Sequence, residues 1–333
     1  MKKIINQPEN VLSEFMRGFT KAYSSIVAMN DDPLYFSRAG GAVPGKVGVI
    51  SGGGSGHEPL GGGYVGVGML DAAAPGAFFS SPTPDQILAA TQAADGGAGV
   101  LHVVLNYTGD VLNFESGAEL ADVEDIKVAT VVLDDDVAVE DSTFTAGRRA
   151  VAGSIVNMKI TGAAAERGDD LDAVAAVSKK ANDAMGTMGL ALTPCTVPTL
   201  GEPSFELGPD EIELGIGVHG EPGVRRVPMM PADEITDALL DAVVKDLKIE
   251  SGEDVLLFIN GLGATPLSEQ YIMYNRASDR LDAMGVNITR SLVGNFFTSL
   301  EMQGASVTVM RLDADLTALL DAPVHTAGWR AGM

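Results

Sequence analysis

One cysteine, Cys195, occurs in 333 residues. A single thiol excludes an intrachain disulfide and a cysteine-built zinc site, and it fits a reducing compartment. Positive charge is scarce: 22 Lys and Arg stand against 45 Asp and Glu, for a formal net charge of −23. A polyanion repels nucleic acid and anionic lipid at long range, so neither is an expected partner. No stretch approaches the ~20 continuous apolar residues of a membrane helix, so no membrane association is expected. The N-terminal MKKIINQPENVLSEF has two lysines but no apolar core or cleavage site. It does not read as a secretory signal, and the expected location is the cytoplasm. Histidine is rare too, with four in the chain.

Glycine is abundant, at 40 residues. It costs backbone entropy, so such usage points to tight turns or close approach to a ligand. Hydrophobic residues make up 46 % and charged residues 20 %, as in an ordinary globular chain. The length asks for two domains or one large one.

From Val11 to Phe19 the apolar residues fall on one helical face, with Asn10 as N-cap. Short β-branched runs follow: KVGVIS (46–51), GVLHVVL (99–105) and KVATVVL (127–133). A helix is expected from Asp85 to Ala94, after the turn-rich SSPTP. Residues 150–190 read as mainly helical. Strands return at 212–218, 254–260, 286–294 and 306–313, with a helix after Thr265 as N-cap and Pro266 at N1. The alternation predicts two α/β domains with mixed or mainly parallel sheets and a substrate site at loops following strands. The expected division is 1–185, carrying the GHEP and NYTGD loops, and 186–333, carrying the HGEPG loop.

Several motifs do not carry the chemistry that they suggest. GGAVPGK (40–46) lacks the Ser or Thr of a phosphate loop and precedes a strand. GGGYVG (61–66) and GIGVHG (215–220) match a dinucleotide pattern. The first does not directly follow a strand, and Glu-Pro-Gly after the second blocks the helix that a pyrophosphate needs. Ser55 has His57 where a nucleophile elbow requires glycine. The acidic run DDDVAVED (134–141) reads as a solvated loop, and His102 and His325 as structural.

Two histidines remain. His57 sits in SGGGSGHEPL and His219 in GIGVHGEPG, each among glycines and before Glu-Pro. Sparse side chains let backbone N–H groups and a small substrate reach an imidazole, whose neutral nitrogen is a nucleophile. Asp110, closing NYTGD after a strand, is positioned to orient a histidine or to take a substrate proton. The residues by themselves indicate an α/β enzyme or binding protein with a small polar ligand at glycine-rich loops.

VISGGGSGHEPLGGGYVGVGML, FFSSPTPDQI, NYTGDVLNFE, VVLDDDVAVEDS, TAGRRAVAG, GAAAERG, GVHGEPG and NGLGATPLSE, in this order, closely resemble the dihydroxyacetone kinase K subunit family over nearly the whole chain. The resemblance implies that dihydroxyacetone is captured as a covalent hemiaminal on His219. It implies that Asp110 is the general base on the attacking hydroxyl and that His57 bonds and transfers a proton beside the substrate. Gly54, Ser55 and Gly56 would supply further substrate contacts. It implies phosphotransfer from a separate nucleotide-binding L subunit, recharged by a phosphohistidine M subunit of the phosphoenolpyruvate-dependent system. ADP or ATP and magnesium then belong to L, with no cofactor or metal residue on this chain, and a homodimer is expected. One position departs from the family. The usual Lys before Asn-Tyr-Thr-Gly-Asp is Leu105, which donates no hydrogen bond. Another short ketose such as erythrulose, or a non-catalytic coactivator that binds the ketone, therefore stays open.

Overall fold

The computed structural model describes residues 2–139 and 147–332. The chain forms two compact units. One comprises residues 1–133, 155–180 and 318–333, and the other residues 134–154 and 181–317.

The first unit carries β1 (Val27–Asp31), β2 (Leu34–Arg38), β3 (Gly48–Ser55), β4 (Gly66–Val67), β5 (Ala72–Phe78), β6 (Val100–Leu105) and β7 (Val128–Leu133). Its helices are α1 (Val11–Ala22), α2 (Pro84–Ala94), α3 (Thr108–Val123), and most of α4 (Gly153–Arg167) and α5 (Leu171–Asp183). The six-stranded sheet has the order β1-β2-β5-β3-β6-β7. Its β5, β3, β6 and β7 run parallel, while β1 and β2 are antiparallel. All six residues of β6, VLHVVL, are buried, as a parallel strand covered on both faces requires. Ile87 and Ala90 of α2 and Phe114 of α3 pack with Ile50, Ala72, Ala74, Val100 and Val104 of the sheet.

The second unit carries β8 (Met185–Ala191), β9 (Glu211–Leu214), β10 (Arg225–Pro228), β11 (Asp254–Gly261), β12 (Asn287–Gly294) and β13 (Gly304–Arg311), with α6 (Ala232–Leu247) and α7 (Leu267–Ala283). Its sheet has the order β10-β9-β8-β13-β11-β12. Only β11 and β12 are parallel neighbours. Leu239, Leu240 and Val243 of α6 and Ala277 and Leu281 of α7 pack with Leu257, Ile259 and Val307 of the sheet. After α8 (Ala314–Asp321) the chain returns to the first unit, where β14 (Val324–Thr326) pairs with β4 and with β15 (Arg330–Ala331).

The architecture is therefore α/β with mixed sheets, the first mainly parallel. The units interleave in sequence, whereas the division expected at 185/186 is linear. Residues 134–154 group with the second unit and the last sixteen residues with the first. β14 explains the latter, since it pairs with β4 of the first unit in a separate three-stranded sheet.

Strands β1, β2, β5 and β8 carry no sequence signal. AAAPGAF and MGTMGLA are poor in β-branched residues, and cross-strand pairing overrides propensity there. The run at 212–218 forms a strand only to Leu214. Thr265 does not cap a helix. Its hydroxyl donates to the Gly304 carbonyl at 2.6 Å and accepts from the Gly304 N–H at 2.8 Å, so α7 starts after Pro266. Asn10 is the N-cap of α1 without a side-chain cap bond. Lys46 of GGAVPGK pairs with buried Asp71 at 2.6 Å, away from any phosphate role.

Candidate active site

In the first unit β3 ends in Gly-Gly-Gly-Ser, and the loop that follows holds His57. Gly54 has no substitute: a Cβ there would stand 2.7 Å from the Ser80 nitrogen and 2.8 Å from the Phe79 Cα. The absent side chain lets the end of β5 close against β3. Ser55 is turned inward, its hydroxyl donating to the Gly76 carbonyl at 2.7 Å. The Gly56 N–H donates to the Glu58 carboxylate at 3.0 Å. Burial pushes the Glu58 carboxyl up, and that N–H partly opposes it.

His57 is 2 % exposed, and its ring stacks on Phe79 with centroids 4.9 Å apart and planes at 18°. Phe79 itself has φ +55°, a left-handed conformation that costs a bulky residue energy and recurs at functional loops. Asp110 is the third residue of α3 and 4 % exposed. In the first turn its carboxylate faces the positive end of the helix dipole. Because β3 and β6 are parallel neighbours, the His57 loop and the turn into α3 leave the same end of one sheet. Leu105 closes β6 and is 3 % exposed. Its Cδ1 lies 3.4 Å from where a Gly53 Cβ would stand.

In the second unit β9 gives way to the loop holding His219. The His219 Nδ1 lies 2.8 Å from Glu221 Oε1, and the His219 backbone N–H donates to Glu221 Oε2 at 2.9 Å. Glu221 is buried, while the imidazole is 23 % exposed. Burial by itself would raise the Glu221 carboxyl. The positive charge and hydrogen bonds of His219, a backbone bond and the Arg149 guanidinium outweigh it and hold the group down at about 2. An ionised carboxylate only accepts hydrogen bonds, so Nδ1 carries the proton. In the neutral ring the lone pair then resides on Nε2.

Gly217 makes this possible. A Cβ at 217 would stand 2.1 Å from Glu221 Oε2 and 2.8 Å from Arg149 Nη1. The glycine clears space for the carboxylate that orients the ring, which is a different service from admitting a substrate. Behind it, Arg149 is fully buried. Its Nε donates to Asp136 Oδ2 at 2.7 Å and its Nη2 to the Gly215 carbonyl at 2.7 Å. Burial raises the Asp136 carboxyl to about 6 against the pull of Arg149. Asp135 accepts from the Val151 and Gly153 N–H groups at 2.8 Å each, at the start of α4.

The acidic run is therefore no solvated loop at Asp135 and Asp136, which are each 2 % exposed. Their partners lie in GRRAVAG, a segment that composition could not pair with them. Residues 140 and 141 of the run lie outside the described residues. The sequence assigns no site role to Glu221, Arg149 or Asp136. The only signal was the close spacing of His219 and Glu221. GIGVHG leads to no helix but to β10. His102 is core: it is wholly buried, its Nε2 lies 2.9 Å from the Thr91 hydroxyl, and burial lowers it to about 3. Thr91 donates to the Ile87 carbonyl, so His102 Nε2 donates to Thr91. His325 lies in β14, opposite Val67. Among the described residues no three His, Cys, Asp or Glu side chains gather as a metal site. No described helix is long and apolar enough to cross a membrane.

A family model described as the Dak1 domain matches residues 17–328. A Listeria innocua protein named the dihydroxyacetone-binding subunit DhaK of PTS-dependent dihydroxyacetone kinase 1 is 50 % identical, covering 99 % of this chain and 100 % of that protein. Among solved structures, the dihydroxyacetone kinase of C. freundii superposes with a TM-score of 0.89 at 32 % identity, over 99 % of this chain and 60 % of that one. The dihydroxyacetone kinase operon co-activator Dha-DhaQ superposes with a TM-score of 0.89 at 31 % identity, over 96 % and 98 %. The long motifs, the two α/β units and these matches agree: the chain belongs to the Dak1 domain family, together with the DhaK subunits of dihydroxyacetone kinases.

Proposed function

We propose that the chain is the dihydroxyacetone-binding subunit of a phosphoenolpyruvate-dependent dihydroxyacetone kinase. The observation that carries this reading is the 2.8 Å bond between His219 Nδ1 and ionised Glu221. It leaves Nε2 as the basic nitrogen of a ring that reaches the surface. Nε2 adds its lone pair to the ketone carbon. The C=O π pair moves to oxygen, which takes a proton from His57 or water. The resulting N-alkylated ring stays cationic and is stabilised by Glu221. Only a carbonyl compound forms this bond, so glycerol is rejected by chemistry, where a hydrogen-bonding pocket discriminates similar polyols poorly.

The adduct presents a hydroxyl. Asp110 accepts its proton as the oxygen attacks the γ-phosphorus of ATP held by the L subunit, and ADP leaves. A phosphohistidine on the M subunit recharges ADP. Nucleotide and magnesium belong to L in this reading, and Gly54, Ser55 and Gly56 line the substrate. The protein would act in the cytoplasm as a homodimer.

A second reading is favoured by the equally close superposition on the operon co-activator and by Leu105, which removes a donor. There the ketone is sensed and not phosphorylated. Purified chain with L and M subunits, phosphoenolpyruvate and dihydroxyacetone or erythrulose separates the two. Product formation supports the kinase. Covalent binding without product sinks it.

A further inference from the structure

We propose that Arg149, held by Asp136, is a positioning residue: its guanidinium fixes the Glu221 carboxylate, which fixes the proton-bearing nitrogen of His219. This rests on the reading of His219 as the ring that bonds substrate. A fully buried guanidinium is costly unless every partner is supplied, and apolar replacements of buried ion pairs are often no less stable. Its presence therefore asks for a use besides stability.

The geometry supplies one. Nε and Nη2 are committed to Asp136 and to the Gly215 carbonyl, at the start of the His219 loop. This fork aims Nη1 at Gly217. There Nη1 and Glu221 Oε2 both lie within 3 Å of one point, the site of the missing Cβ, at 2.8 and 2.1 Å. Arg149 is also among the charges that keep Glu221 ionised. Asp136 holds the other end: Oδ2 accepts from Arg149, and Oδ1 accepts from the Ala138 N–H at 2.9 Å. The acidic run and GRRAVAG thus fall on one line of groups: Asp136 bonds Arg149, Arg149 acts on Glu221 through its charge, and Glu221 bonds His219.

Placement matters for a nucleophile. The ring needs its lone pair on the nitrogen that meets substrate, and a carboxylate held in one place keeps the proton on the other nitrogen. Lysine would not reproduce the arrangement, since one planar group bonds Asp136 and Gly215 in fixed directions and thereby sets where its third nitrogen lies.

The test reads the ring without ligand. ¹⁵N-histidine-labelled full-length protein reports the protonated nitrogen of each imidazole at neutral pH, and His219→Ala assigns the His219 signal. The wild type should show the proton on Nδ1, bonded to Glu221. In Arg149→Met that proton should move to Nε2. Dihydroxyacetone binding should weaken about 10- to 100-fold, the scale seen when a group that orients a metal-bound histidine is removed. If Arg149→Met does not fold, Asp136→Asn decides. It keeps the volume, but its single carbonyl oxygen cannot accept from both Arg149 and Ala138, and the same changes should appear. A folded variant with the wild-type ring spectrum and affinity overturns the proposal. A wild type with the expected ring spectrum but no ketone adduct would instead leave the positioning intact and refute the function.

Discussion

Adding one methyl group at Gly217 should disable the site while leaving the fold in place. Gly217 has no left-handed φ, so alanine meets no backbone barrier. The new Cβ would stand 2.1 Å from Glu221 Oε2 and 2.8 Å from Arg149 Nη1, far inside van der Waals contact. Both obstacles are ends of long side chains, so the clash is relieved by moving the carboxylate and not the main chain. That movement breaks the bonds at 2.8 and 2.9 Å to the His219 ring and N–H. A hydrogen bond to a charged group contributes ~1.5–3 kcal/mol, against ~0.4–1 kcal/mol gained from the stiffer unfolded chain. Losing even one leaves a net destabilisation of about 0.5–2.5 kcal/mol. The effect on ketone capture should be larger, about 10- to 100-fold, because the ring loses its fixed tautomer. Titration of dihydroxyacetone into Gly217→Ala, alongside thermal melts, measures both. A folded variant that binds the ketone like the wild type would refute the role given to Glu221.

Asp110→Ala should keep the adduct in intact-mass spectra but lower product formation with L and M subunits by ~10²–10⁴-fold, the usual contribution of a general base. An unchanged rate would remove Asp110 from the chemistry. Buried His102 should make acid destabilising. Its folded pKa of about 3 lies below the unfolded 6.5, so the unfolded chain gains the proton first, and stability falls by ~1.4 kcal/mol per pH unit from 6.5 down to about 3. Asp136, raised from 3.8 to about 6, acts oppositely and loses stability as pH rises through that interval. His102→Leu should flatten the acid limb seen in denaturant titrations at several pH values; an unaltered limb contradicts the assignment of a neutral core histidine.

Much of this was legible in the residues, and the gaps have physical causes. The buried strands β3, β6 and β11, and the edge strand β7, announce themselves as β-branched runs. Strands β5 and β8 do not, because alanine, glycine and methionine are held in place by neighbours on both sides. His57, Asp110 and His219 stood out as the titratable groups in glycine-rich loops after strands. The supporting groups did not. Asp136 and Arg149 are thirteen residues apart and meet only through the fold, and a buried aspartate looks like a surface one in sequence. The glycines near His219 suggest open access for a substrate, but one of them has another use. Gly217 serves the carboxylate behind the ring.

The central claim is a bond between His219 Nε2 and a ketone carbon. The most direct measurement is the ¹³C spectrum of dihydroxyacetone labelled at its carbonyl carbon, bound to wild type and to His219→Ala. The account predicts that with the wild type the labelled signal leaves the carbonyl region for the tetrahedral region, and that with His219→Ala it does not. A bound ketone whose labelled carbon stays in the carbonyl region with the wild type would contradict it.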